Sequence, residues 1–109
     1  MHELGLAQDL CEAILTHTGG KTVSRVEIGV GGFSGISTDS FLFCAKTVFS
    51  QVLNPGIEIV IRDIPGRVQC ACGEEYDTDD LLQPCPECSG FDRKLIDGTH
   101  LVLESIEVE

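Results

Sequence analysis

Cys70-Ala71-Cys72 and, twelve residues further on, Cys85-Pro86-Glu87-Cys88-Ser89-Gly90 divide this chain into two kinds of sequence. The four cysteines come as two close pairs, and four thiolates so arranged meet the tetrahedral demand of Zn(II). Gly73 follows the first pair, and Pro86, Ser89 and Gly90 give the second the small, turn-forming residues of a zinc knuckle. A site with four protein sulfurs leaves no open position, so it is structural rather than catalytic. The segment 67–97 is rich in Cys, Gly, Asp and Glu and poor in large apolar side chains. So short a segment cannot build an adequate core and needs a staple. Metal binding would supply its folding energy, on the order of 10 kcal/mol. Iron in a rubredoxin-like site and a pair of disulfides are the alternatives. The first pair is one residue shorter than the usual C-x-x-C. That makes Cys70 the least secure of the four ligands, because Cys72, with Gly73 after it, stands where a knuckle's second cysteine should.

Upstream, residues 4–18 read as a helix, with Leu6, Leu10 and Ile14 on one face, Ala7 and Cys11 beside it, and Gly19-Gly20 at its end. His17 falls in the last turn, where the helix dipole favours a cation, and reads as a surface residue. Val26, Ile28 and Val30 alternate with Arg25, Glu27 and Gly29, as in a half-buried strand. Gly31-Gly32-Phe33-Ser34-Gly35 reads as a flexible connection and lacks the spacing of a phosphate-binding loop. Ser37 is a good N-cap for a second helix, whose apolar stripe is Phe41, Cys44, Ala45, Val48, Phe49 and Val52. Cys11 and Cys44, inside helical patterns, pack as small hydrophobes. Asn54-Pro55-Gly56 stops the second helix. Ile57, Ile59 and Ile61 then mark a second strand, and Leu101–Val108 a third whose two faces are both partly apolar. The expected fold is α+β. A small three-stranded sheet with two helices spans residues 1–64 and 98–109. A zinc-ribbon-like domain with four cysteine ligands, residues 65–97, is inserted between the second and third strands.

Composition narrows the function. Seven basic residues against eighteen acidic ones leave a net charge of −11. The bases form no cluster, so the chain is not expected to bind nucleic acid. No apolar run approaches the roughly 18 residues that span a bilayer. The start has neither the basic nor the apolar region of a secretory signal, so no membrane contact and a cytoplasmic location are expected. No nucleophile–base pair or carboxylate dyad stands out, and the chain is not expected to be an enzyme.

The other chemical feature is Met1-His2-Glu3. The Met1 amine, the backbone nitrogen after it and the His2 imidazole can close fused chelate rings on one metal. Such nitrogen-rich, near-planar sites suit Ni(II) or Cu(II). The plain alternative is a frayed terminus.

Together these features resemble the HypA/HybF family of hydrogenase nickel-incorporation proteins. The residues that carry the resemblance are Met1-His2-Glu3-Leu4, Val26-Glu27-Ile28-Gly29-Val30, the cysteines 70, 72, 85 and 88, and Ser105-Ile106-Glu107-Val108-Glu109. Size and element order agree over the whole chain. The resemblance implies a nickel metallochaperone that holds Ni(II) as transient cargo through Met1, His2 and Glu3, with structural Zn(II) on Cys70, Cys72, Cys85 and Cys88. It implies as partners a nickel-insertion GTPase and the hydrogenase large subunit, and some members also serve urease. The resemblance is also compatible with a homodimer. Two departures stand out: the first cysteine pair is C-x-C, and His100 occupies a position where relatives often carry another residue. His100 reads more readily as a strand-edge histidine than as a nickel ligand. The competing function classes are a zinc-ribbon adaptor protein and a rubredoxin-like iron protein.

Overall fold

The computed structural model describes residues 2–80 and 82–109. Its elements are α1 (Glu3–Thr18), β1 (Val23–Gly31), α2 (Thr38–Val52), β2 (Glu58–Ile64), β3 (Arg67–Cys70), β4 (Glu75–Asp77), β5 (Arg93–Asp97) and β6 (Leu101–Val108). They form two three-stranded sheets, ordered β2-β1-β6 and β4-β3-β5. The chain divides into two compact units: Met1–Gly29, Ile36–Arg62 and Val102–Glu109 in the first, Val30–Gly35 and Asp63–Leu101 in the second.

The first unit is the helix-covered sheet. α1 stops where Gly19 takes a left-handed φ of 63° and its N–H bonds the Leu15 carbonyl, a glycine C-cap. Ser37 caps α2, its hydroxyl accepting the Ser40 N–H at 3.4 Å. Apolar burial assembles the unit: Ala7, Cys11 and Ile14 of α1, Phe41, Ala45 and Phe49 of α2, and Val23, Val26 and Ile28 of β1 are all buried. The side of α1 that is buried runs through Ala7, Cys11, Ile14 and Thr18, while Leu6 and Leu10 are only half-buried. The face is turned slightly from the expected Leu6–Leu10 stripe, because α1 packs on α2 and small side chains at 7 and 11 permit the closer approach. Arg25 lies 3.8 Å from Glu58, and six to seven residues on the Gly32 N–H bonds the Ile64 carbonyl at 2.8 Å. Partners that advance together make β2 parallel to β1, with α2 as the crossover. β6 runs the other way along β1, since the Ser24 hydroxyl bonds the Glu107 carbonyl while the Gly31 N–H bonds that of His100.

The second unit holds a sheet that the sequence reading does not contain. β3 and β4 form a hairpin with Val68 opposite Tyr76, and β5 lines the other side of β3 with Leu95 opposite Val68 and Arg93 opposite Cys70. Strands of four, three and five residues are too short to show a period. Their solvent side is charged, with Arg67 reaching Asp77 at 2.6 Å and Glu75 at 3.5 Å. Val68, Cys70, Tyr76 and Cys85 form a small buried cluster, against which Phe33 packs. The loop carrying Phe33 is therefore a fixed part of this unit rather than a flexible connection. Three backbone bonds hold it: Gly31 to His100, Gly32 to Ile64 and Phe33 to Gly98, at 2.8–3.0 Å. Gly66 must be glycine for the same reason, since a Cβ there would collide with the Phe33 ring and the Thr78 carbonyl.

Candidate metal centres

The four sulfurs of the second unit are delivered by two turns built alike. At the first, Cys70 ends β3, its N–H bonds the Glu74 carbonyl at 2.8 Å, and the Gly73 N–H returns to the Cys70 carbonyl at 2.9 Å. This puts Cys72 within the turn, followed by Gly73 at φ 100°. At the second, the Cys85 N–H bonds the Gly90 carbonyl at 3.0 Å and the Ser89 N–H bonds the Cys85 carbonyl at 2.8 Å. The Glu87 N–H points at Cys85 Sγ and the Gly90 N–H at Cys88 Sγ, both at 3.4 Å. Ser89 takes φ 60° and is the one non-glycine residue with positive φ among the described residues. The Ala71 N–H, bonded to the Asp92 carbonyl at 2.7 Å, ties the first turn to the chain leaving the second.

All four Sγ atoms lie within 4.8 Å of one another, with Cys70 to Cys88 at 3.4 Å and Cys72 to Cys85 at 3.7 Å. A tetrahedral zinc with bonds of about 2.3 Å requires sulfurs about 3.8 Å apart, so this donor set fits the ion. Cys70, the residue of the short pair, is part of the cluster. Cys70 and Cys85 are buried, while Cys72 and Cys88 are exposed, and all six cysteines are free thiols.

The turns also set the electrostatics. Burial pushes the Cys85 thiol up, but the Cys88 and Glu87 N–H groups and the neighbouring thiols outweigh it and bring it down to about 7. At Cys72 the Glu74 N–H pulls the value down, yet sharing hydrogen bonds with Cys70 and the other sulfurs, together with burial, leaves it at about 12. Cys11, alone in the helical core, is pushed up by burial and is not expected to react.

In the first unit, His2 is exposed at the N-cap position of α1, its carbonyl accepting the Leu6 N–H at 3.0 Å. Glu3 is buried, and its Oε2 accepts the Ser37 N–H at 3.2 Å, which joins the start of α1 to that of α2. Met1 lies outside the described residues. His17 is exposed at the far end of α1, roughly 20 Å along the axis from His2 at about 1.5 Å per residue. His100 is exposed, and its carbonyl is engaged by Gly31.

The sequence reading missed Tyr76 and Arg93. The Arg93 Nη1 donates to the Tyr76 hydroxyl at 2.7 Å and to the Gln83 carbonyl, and its guanidinium sits 5.6 Å from the Phe91 ring centre. Arg93 therefore holds β5 to the segment that leads into Cys85. The available signal was a cation two residues after an aromatic, Phe91-Asp92-Arg93.

A family model described as hydrogenase/urease nickel incorporation, metallochaperone, HypA matches residues 1–108. The chain belongs to this family. The hydrogenase maturation factor HypA of Geobacter metallireducens is 32% identical over 110 residues, covering the whole of both chains. That of Chlorobaculum tepidum is 30% identical over 113 residues, again with both chains fully covered. The solution structure of the Ni metallochaperone HypA from Helicobacter pylori superposes with a TM-score of 0.67 at 20% identity, over 99% of this chain and 97% of that one, which shows the shared fold. The chain is thus a nickel metallochaperone of hydrogenase maturation, and its family is one of carriers rather than enzymes. Among the described residues no helix is long and apolar enough to cross a membrane.

Proposed function

We propose that the chain carries Ni(II) at its N-terminus, bound by the Met1 amine, the following backbone nitrogens and the His2 imidazole, and that Cys70, Cys72, Cys85 and Cys88 hold a structural Zn(II). Residues 1–64 and 98–109 then act as the nickel-binding domain and residues 65–97 as the zinc-binding domain. Membership of a nickel-incorporation family, in a chain that begins Met-His-Glu, carries the nickel assignment. Convergence of four sulfurs at tetrahedral spacing supports the zinc assignment. The hydrogen bond from the Ser37 N–H leaves the Glu3 carboxylate occupied in the fold, which supports a role for Glu3 through its backbone nitrogen.

A carrier must bind and release. An exposed histidine at the chain start is kinetically open, and the amine must lose its proton to bind, so nickel affinity weakens as pH is lowered. The Irving–Williams order favours copper at such a site, so selectivity rests on supply and partners. Those partners are a nickel-insertion GTPase and the hydrogenase large subunit, in the cytoplasm. The exposed Asp9 and Glu12 of α1 would steer a basic surface toward the nickel site, and a homodimer would present that face twice.

Nickel titration of untagged protein, beside metal analysis, tests this. His2→Ala, acetylation of the amine, or residues added before Met1 should each abolish tight nickel binding and leave zinc at about one per chain. Undiminished nickel affinity in His2→Ala would falsify the site.

A further inference from the structure

The four cysteines differ in exposure in an ordered way. Each turn contributes one buried and one exposed cysteine: Cys70 and Cys72 from the first, Cys85 and Cys88 from the second. Two close sulfur contacts run across the turns, the exposed Cys88 with the buried Cys70 at 3.4 Å and the exposed Cys72 with the buried Cys85 at 3.7 Å. Each exposed cysteine therefore has a buried cysteine of the other turn beside it. Reactive redox cysteines share this arrangement of an accessible sulfur beside a resolving one.

We propose that the cluster is a peroxide-reactive site in which oxidation forms the cross-turn disulfides Cys70–Cys88 and Cys72–Cys85 and ejects the metal. This rests on the zinc assignment above and extends it. In the first step the Cys88 thiolate attacks one oxygen of hydrogen peroxide. The O–O bond breaks, hydroxide leaves, and Cys88 becomes a sulfenic acid. In the second, the Cys70 thiolate attacks the Cys88 sulfur, the S–S bond forms and a second hydroxide departs. Two thiolates have lost two electrons and one peroxide has taken them. Cys72 and Cys85 repeat the sequence with a second peroxide. The first disulfide removes two of the four donors a bound zinc needs, and the second removes the rest. A dithiol reductant reduces both disulfides back to thiols and is itself oxidised to its disulfide. Cys11, buried in the helical core, stands outside this chemistry.

The experiment uses the full chain as purified, with zinc content measured first. Hydrogen peroxide is added in steps to two equivalents, zinc release is followed with a chromogenic chelator, and free thiols are then blocked. Cleavage after Glu74, Glu75 and Glu87 separates the Cys70–Cys72 peptide from those of Cys85 and Cys88, and fragmentation at Ala71 assigns the links. Near-complete zinc release, Cys70–Cys88 and Cys72–Cys85 linkages, and recovery with dithiothreitol plus zinc are expected. Linkages within a turn, such as Cys85–Cys88, would overturn the proposal, as would zinc retained through excess peroxide. A sample without zinc at the outset defeats the zinc assignment instead, and the disulfide map still decides the pairing.

Discussion

The two units keep their folds by different means. In the first, Phe41, Phe49, Ile14, Ile28, Val23 and Val26 are fully buried, each contributing about 1.5–3 kcal/mol of transfer free energy. In the second, the buried cluster is Val68, Cys70, Tyr76 and Cys85, so half of its members belong to the metal centre. A metal held by the four cysteines would tie directly into the core of the second unit, whereas the fully buried side chains of the first unit are apolar. On the proposed assignment a carrier benefits from this division, because nickel bound at the start of the first unit could come and go without disturbing either core.

The largest effect should follow loss of a zinc ligand. Cys85→Ala, or prolonged chelation of the wild type, should empty the centre and unfold Asp63–Leu101, since a structural zinc supplies on the order of 10 kcal/mol. Amide resonances of α1 and α2 should stay dispersed. A second unit that keeps its β3 and β5 amide protection without metal would break the contrast. The converse substitution is Phe41→Ala. It should cost about 3–5 kcal/mol through the cavity it leaves, lowering the melting temperature of the first unit without changing zinc content.

Acidification sharpens the contrast further. Cys85 at about 7 lies below its ordinary value, so its contribution is present above that ordinary value and lost as pH falls through about 7. Zinc affinity, read by competition with a chelator of known affinity, should therefore fall more steeply below pH ~7 than above it, by about one further proton displaced per zinc. An unchanged slope from about pH 6 to 8 would show that the Cys85 thiol is not the group poised near neutrality.

These differences also explain what could be read in advance. α1, α2, β1 and β2 were legible because each is long enough for its apolar period to repeat, β6 because its run is long and apolar, and Gly19 and Ser37 mark helix ends through a left-handed backbone and a hydroxyl cap. The cysteine spacing announced the metal centre because tetrahedral coordination is local. β3, β4 and β5 were not legible. Their partners are set by Phe33 and by the close backbone approach at Gly66, contacts between segments far apart in the chain that no local pattern encodes. The C-x-C pair looked defective only against a knuckle template. In the fold, Cys70 is carried by a strand and Cys72 by the turn after it, so the shorter spacing still brings both sulfurs to the cluster.

The smallest effects separate the two turns themselves. Both place a left-handed residue directly after their second cysteine, Gly73 at φ 100° and Ser89 at φ 60°. A Cβ at Gly73 would meet nothing within 4 Å, so Gly73→Ser changes backbone strain and little else. It should cost about 1–3 kcal/mol, because a φ so large lies beyond the left-handed well that side chains tolerate. Ser89→Gly relieves about 1–2 kcal/mol of left-handed strain but adds about 0.5–1 kcal/mol of chain entropy in the unfolded state. The net gain is about 0–1.5 kcal/mol, seen as at most a modest rise in zinc affinity or in the second unit's melting temperature. Serine at 89 is then a small strain held in place by the metal and by the Gly90 N–H bond to Cys88 that the left-handed turn creates. If Ser89→Gly instead weakened zinc binding, the hydroxyl itself would be contributing to the turn, and the two turns would be alike in shape but not in what stabilises them.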